Sequence, residues 1–249
     1  GTLRKSIFLE VLGESYIPLS FQLAREADPV AKLYYNDFNL EVIPAKAAAA
    51  KDLIRAVQAA GAPIDGIGFQ AHLTVGQTPP RIGYAALMNE FVALGLEVAI
   101  TELDIAHATL PPSQEDLEAQ AKDYIAAVGA CLDVERCVGV TVWQFTDKYS
   151  WVEKMFPGKG QPCLFTADFE AKPAYTALKA MLKETINKKK EAVAALASSP
   201  AISCFVDMWP FSSSSFFGTV GLGTVSTAIV SGLSGVLWLI VIALFSYLI

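Results

Sequence analysis

Short apolar segments alternate with helical patterns four times along this 249-residue chain. The patterns predict strands at residues 31–35, 64–69, 98–101 and 138–145, and helices at residues 7–27, 44–61, 84–94, 114–132 and 173–190. We expect the first helix to be kinked or broken at Pro18. Near-continuous apolar strands that alternate with helices indicate a parallel sheet covered by helices. The predicted fold class is therefore α/β.

Polar or aromatic residues follow the end of every predicted strand. They are Asn36 after the first, Gln70 and His72 after the second, Glu102 after the third, and Trp143 with Asp147 at the fourth. The carboxyl ends of parallel strands meet at one edge of the sheet, where ligands of such folds bind. A single end of this kind would be unremarkable, but four together predict a functional site at that edge.

Two carboxylates, Glu102 and Asp104, come directly after the third strand. Strand side chains alternate with a period of two, so both are expected on the same face. A buried strand that ends in an acid where a loop begins is a common way to present a catalytic carboxylate. For one isolated strand, a polar strand end that only caps the next segment would explain the two acids equally well. The polar residues at the other three strand ends favour a functional site instead.

Amide, imidazole and indole groups at one edge suit a carbohydrate. Gln70 and His72 can form hydrogen bonds to hydroxyl groups, and the rings of Trp143 and Trp151 can pack against the apolar face of a pyranose. The alternative for each tryptophan is core packing, but a position at a strand end or in the following loop favours a cleft.

Nucleic acid and metal ions are not indicated as partners. The net charge is −6, and the one basic run, at residues 188–190, lies at the end of a helical pattern. The two histidines, His72 and His107, have no neighbouring Cys or His in metal-ligand spacing, so neither a metal nor another cofactor is expected. We expect His107 to lie at the surface or in a loop.

Four motifs resemble those of the family 10 glycoside hydrolases, in the same order and spacing. They are LYYNDFN at residues 33–39, GIGFQAHL at 66–73, ITELDI at 100–105 and TVWQFTDKYSW at 141–151. The resemblance runs from residue 1 to about residue 183. Members of this family are retaining endo-1,4-β-xylanases (EC 3.2.1.8) on a (β/α)8 TIM barrel. The resemblance implies that residues 1–187 form the last four β/α units of such a barrel, with unpaired sheet edges at the first and fourth strands.

The resemblance also implies roles for the residues at the strand ends. Glu102 corresponds to the nucleophile, His72 to a residue that forms a hydrogen bond with it, and Asp104 to a supporting acid. The implied substrate-binding residues are Gln70, Trp143 and Trp151 around the sugar next to the scissile bond, and Asn36 and Asn39 on the leaving-group side.

The general acid/base of the family is a glutamate that would precede Gly1. Retaining hydrolysis needs two carboxyl groups about 5–5.5 Å apart, and this chain supplies only the attacking one. We therefore expect a fragment of a longer xylanase, inactive by itself. The alternative is a non-catalytic, membrane-displayed half-barrel that binds xylan.

The family also implies a disulfide between Cys131 and Cys137 and a secreted protein, whereas Cys163 and Cys204 have no evident partner. After a linker at residues 188–215, the segment 216–249 carries no charge and is long enough to span a bilayer. A transmembrane helix and a removed lipid-anchor signal both remain open. The predicted location is extracellular, with the protein tethered to the membrane through this tail.

Overall fold

A computed structural model of the chain describes residues 2–197. These residues form two compact units. The first extends to Ala180 and the second begins at Met181. The strands are β1 (Tyr34–Asp37), β2 (Gly66–Phe69), β3 (His72–Thr74), β4 (Glu97–Ala106) and β5 (Cys137–Val142). The helices are α1 (Ile7–Leu12), α2 (Tyr16–Ala27), α3 (Pro44–Ala59), α4 (Arg81–Val92), α5 (Gln114–Leu132), α6 (Val152–Met155) and α7 (Pro173–Ala197).

All strand pairings are parallel. β1 pairs with β2, β2 and β3 both pair with β4, and β4 pairs with β5. β3 continues the line of β2 after a break at Gln70 and Ala71, where Ala71 has a positive φ of 62°. Neighbouring strands thus follow chain order, as expected for consecutive β/α units. The predicted parallel α/β sheet is confirmed, and among the described strands β1 and β5 each have one partner only.

The first helical region is interrupted at a different place from the predicted one. A turn of 3-10 helix at Gly13–Ser15 separates α1 from α2. Pro18 lies in the first turn of α2, where a missing N–H removes no intrahelical hydrogen bond. The predicted break at Pro18 is therefore wrong.

Other boundaries move by a few residues. β1 begins at Tyr34 rather than at residue 31, and β5 ends at Val142 rather than at residue 145. Trp143 consequently lies in the loop after β5. α5 begins as predicted after Ser113, which forms a capping box with Asp116.

β4 does not end before the two carboxylates. It continues through Glu102 and Asp104 to Ala106, because β3 supplies parallel partners for its second half, with His72 opposite Asp104. The expectation that a loop begins at Glu102 is wrong. Between Ile100 and Leu103, β4 has one residue more than the facing segment of β5, which is the mark of a β-bulge.

One face of the sheet packs against helices. The ring of Phe69 meets the rings of Tyr84 and Phe91 of α4 edge to face, at centroid distances of 5.7 and 5.6 Å. All three side chains are fully buried. The opposite face carries the polar residues of the site.

A disulfide joins Cys131, near the end of α5, to Cys137, the first residue of β5. Cys163 is a free, buried thiol, and Cys204 lies outside the described residues. The predicted tail at 216–249 lies outside them as well. Over residues 2–197, no helix combines the length and the apolar character needed to cross a membrane.

Candidate active site

Glu102 is a buried carboxylate whose two oxygens are both engaged. Glu102 lies at the bulge of β4, and only 6% of the residue is exposed to solvent. Oε1 accepts a hydrogen bond from Nδ2 of Asn36 at 2.8 Å. Oε2 lies 3.1 Å from Nε2 of His72. The carboxylate is therefore held from two sides, by Asn36 of β1, which lies two strands away, and by His72 of β3, which pairs with β4.

His72 bridges two carboxylates. Its Nδ1 lies 2.9 Å from Oδ1 of Asp104, while its Nε2 faces Glu102. Burial by itself would lower the pKa of His72, but the hydrogen bonds and charges of Asp104 and Glu102 outweigh it and raise the pKa to about 9. At neutral pH the ring is an imidazolium that donates from both nitrogens. Its charge balances one of the two carboxylates.

Asp104 supports the site from a more deeply buried position, at 1% exposure. Its Oδ1 is bonded to His72, and its Oδ2 accepts a hydrogen bond from Nε1 of Trp151 at 2.8 Å. The ring of Trp151 stands edge to face with His72 at 5.0 Å, and that of Trp143 does so at 6.1 Å. The structure thus brings most of the predicted site residues together.

Two clefts open beside this cluster. One, of about 360 Å³, is lined by Asn36, Glu102 and Trp143 among others. The other, of about 490 Å³, is lined by residues that include Asn39, Gln70, His72, Asp104 and Trp151. Asn36 lines the first cleft and Asn39 the second, and Asn36 also donates a hydrogen bond to Glu102. Their predicted place on the leaving-group side stays a prediction.

The sequence did not predict a buried ion pair that lies beneath the loop carrying Trp143 and Trp151. Nζ of Lys172 lies 3.1 Å from Oδ2 of Asp147, and both side chains are almost fully buried. Asp147 also accepts the Cys163 N–H at 2.8 Å, and Lys172 donates to the Gln161 carbonyl at 2.7 Å. The pair ties the loop that carries Trp143 and Trp151 to the segment before α7. Asp147 was visible as a strand-end residue, but a lone lysine before a proline gives no signal of burial.

His107, which we expect at the surface or in a loop, is buried at 2% exposure directly after the end of β4, so the surface position is wrong. The reason is the extension of β4, since the His107 backbone follows the strand and pairs with Gly160. Burial, together with the nearby charge of Lys172, lowers the pKa of His107. Across the described part of the chain, no group of three or more His, Cys, Asp or Glu side chains is arranged to hold a metal ion.

A buried carboxylate between an amide and an imidazolium, beside indole rings at one edge of a parallel α/β sheet, is typical of a glycoside hydrolase. The sequence model of one such family matches residues 1–181. The chain belongs to this family, described as Glycosyl hydrolase family 10.

Relatives and solved structures agree with this membership. The chain is 53% identical over 182 residues to endo-1,4-beta-xylanase 1 of Humicola insolens, covering 73% of this chain and 42% of that protein. It is 51% identical to endo-1,4-beta-xylanase 5 of Pyricularia oryzae, covering 73% and 45%. The chain thus spans less than half the length of these two curated relatives.

This chain covers a larger share of two similar proteins whose structures have been solved. Native xylanase 10B of Thermotoga maritima has a TM-score of 0.72 and 37% identity, covering 76% of this chain and 58% of that one. A family 10 xylanase from Bispora sp. MEY-1 with xylobiose has a TM-score of 0.68 and 36% identity, covering 71% and 56%.

Proposed function

We propose that the complete protein is a retaining endo-1,4-β-xylanase in which Glu102 is the nucleophile. The observation that carries the proposal is the Glu102 carboxylate, held by Asn36 at 2.8 Å and by His72 at 3.1 Å. Membership of family 10, and relatives named endo-1,4-beta-xylanase at about half identity, support xylan as the substrate.

In the proposed reaction, a Glu102 oxygen attacks the anomeric carbon of a xylosyl unit, and the bond to the leaving-group oxygen breaks. The resulting glycosyl ester is then hydrolysed by water, so that the β configuration is retained. His72, as an imidazolium, stabilises the negative charge on Glu102 before attack and after hydrolysis. In this proposal Trp143 and Trp151 pack against the sugar and Gln70 forms hydrogen bonds with its hydroxyls, while Asn39 binds on the leaving-group side.

A second carboxyl group must protonate the leaving oxygen. Asp104 is unsuited to this role, because its two oxygens are committed to His72 and Trp151 and it is buried behind them. We assign the acid/base to a glutamate of the other half of the family barrel. The same half would supply the strands beside β1 and β5 and complete an eight-stranded barrel.

We further propose an extracellular location, which the Cys131–Cys137 disulfide supports because such bonds persist in oxidising compartments. Residues 216–249 would attach the protein to a membrane, as a spanning helix or as a signal replaced by a lipid anchor. Treatment of intact cells with a phosphatidylinositol-specific phospholipase separates the two, because only the lipid-anchored protein would be released.

The test of the catalytic role uses the complete protein and the variant Glu102→Ala. We expect xylan hydrolysis to fall by at least about 10,000-fold, as when other nucleophiles are removed. Azide should restore turnover of an activated β-xyloside by occupying the vacated space, and the product should be the α-xylosyl azide. Glu135→Gln, an exposed change after α5, is the matched control and should keep wild-type activity.

Two results would overturn the proposal. One is a Glu102→Ala protein that still hydrolyses xylan at a rate close to wild type. The other is a first-formed wild-type product in the α configuration, seen by NMR. A complete wild-type protein that is retarded in a xylan gel but releases no sugar would favour the alternative, a binding module.

A further inference from the structure

The bulge in β4 turns two consecutive side chains toward the same cleft. Adjacent residues of a regular strand point to opposite faces, yet Thr101 and Glu102 both line the cleft that contains Asn36 and Trp143. The extra residue between Ile100 and Leu103 accounts for this arrangement, since a bulge re-aims the side chains that it carries. Thr101 therefore lies beside the proposed nucleophile as well as before it in sequence.

Thr101 reaches Glu102 through Asn36. Oγ1 of Thr101 lies 2.6 Å from Oδ1 of Asn36, and Nδ2 of Asn36 lies 2.8 Å from Oε1 of Glu102. Thr101 is only 7% exposed. The three side chains form a hydrogen-bonded row that starts in the core and ends at the carboxylate.

The chemistry of the row permits one orientation of the amide. An ionised carboxylate only accepts hydrogen bonds, so Asn36 must present its NH₂ group to Glu102. The amide oxygen then faces Thr101, whose hydroxyl can donate to it. A rotated amide would set its oxygen against the carboxylate, and both groups would lose a partner. The carboxylate thus sets the amide orientation. The Thr101 hydroxyl holds it by donating to the amide oxygen at 2.6 Å, a shorter distance than the 3.2 Å to its other acceptor, the Phe69 carbonyl.

β2 lies between β1 and β4 and leaves room for this row at Gly68, which is in register with Asn36 of β1. A Cβ at this position would lie 2.3 Å from Oδ1 of Asn36 and 2.8 Å from Cγ2 of Thr101. No side chain larger than hydrogen fits there without displacing both residues. The packing and the hydrogen bonds thus point to the same geometry.

We propose that Thr101 is a positioning residue, which fixes the Asn36 amide and through it the attacking carboxylate. The inference rests on the proposed role of Glu102. Because Thr101 acts on the reacting group through Asn36, its loss should lower kcat far more than it changes KM. The loss should also move the acidic limb of kcat/KM to higher pH, because the charged form of the carboxylate loses support.

The experiment compares Thr101→Val with Thr101→Ser in the complete protein, on soluble xylan and an activated xylobioside. Valine keeps the shape and removes the hydroxyl, while serine keeps the hydroxyl. We expect kcat of Thr101→Val to fall roughly 10- to 100-fold, because the buried Asn36 amide oxygen is left without its donor. Thr101→Ser should restore most of the activity. Thr185→Val, which removes a partly buried hydroxyl of α7 bonded to the Met181 carbonyl, is the control.

A packing role would give a different pattern. Equal losses in the valine and serine variants, with an unmoved acidic limb, would overturn the proposal, as would a folded valine variant within about twofold of wild type. Thermal unfolding shows whether each variant is folded, and Thr101→Ala takes the place of a valine variant that is not. Glu102→Ala keeps the two ideas apart: if it is inactive while Thr101→Val is fully active, only the role of Thr101 fails.

Discussion

The buried pair of Lys172 and Asp147 allows a prediction with a worked magnitude. Burial lowers the pKa of Lys172 despite the nearby carboxylate, and burial raises the pKa of Asp147 despite the nearby ammonium. Both shifts favour the neutral forms, so the cost of removing the charges from water exceeds their mutual attraction. A pair of this kind contributes little net stability, but either partner left alone is costly.

Lys172→Met should therefore destabilise the protein strongly. It leaves the Asp147 carboxylate buried and unpaired, at a cost of about 3–5 kcal/mol. The double variant Asp147→Asn/Lys172→Met should recover most of this loss, because no charge stays buried and the new amide oxygen at position 147 can still accept the Cys163 N–H. In both variants the Gln161 carbonyl loses the Lys172 donor and keeps the Gln120 amide as its second donor. The recovery should therefore be incomplete by about 1 kcal/mol, the usual contribution of one hydrogen bond.

Urea unfolding of the complete protein, followed by tryptophan fluorescence, measures both changes. With a slope of about 2 kcal/mol per M urea, the single variant should lower the midpoint by roughly 2 M. Arg55→Met, which breaks an exposed pair with Asp52, is the matched control and should change stability by less than about 1 kcal/mol. A single variant as stable as this control, or a double variant no better than the single one, would refute the reasoning.

Two further predictions concern stability. Replacing Cys131 and Cys137 together by serine should cost about 2 kcal/mol, since the bridge closes a loop with a sequence separation of only 6; a reducing agent should lower the wild-type urea midpoint equally, and an unchanged midpoint would show that the bridge is not formed. The pKa of His72 is raised from 6.5 to about 9, so its stabilisation is complete below pH 6.5 and is lost as the pH rises through about 9. The free energy of unfolding should fall over that window by on the order of 3 kcal/mol, and His72→Asn should flatten the profile; equal slopes in the two proteins would contradict the assignment.

Local sequence rules predicted the scaffold well because they depend on neighbouring residues. The apolar strand segments and the helical periodicity indicated parallel strands in chain order, and the structure has them. The Ser113 start signal of α5 was also correct. The rules failed where a distant partner decides the outcome: β4 passes through Glu102 and Asp104 because β3 pairs with it.

The candidate site divides in the same way. The period of two placed Glu102 and Asp104 on one face, and His72 does bond to both. The bond from Asn36 to Glu102 was not predictable, since it depends on the side-by-side register of β1, β2 and β4. Residue types at strand ends identify which groups are present, but not which atoms meet.

Sequence alone therefore determined the chain's family, its α/β periodicity and the presence of a carboxylate at the edge of the sheet. Each of these depends on short motifs whose residues are close together along the chain. Tertiary structure decided the bulge that turns Thr101 and Glu102 to one cleft, the burial of His107, and the pairing of Lys172 with Asp147. Those features arise when segments distant in sequence share backbone hydrogen bonds or exclude water together. No local pattern carries that information.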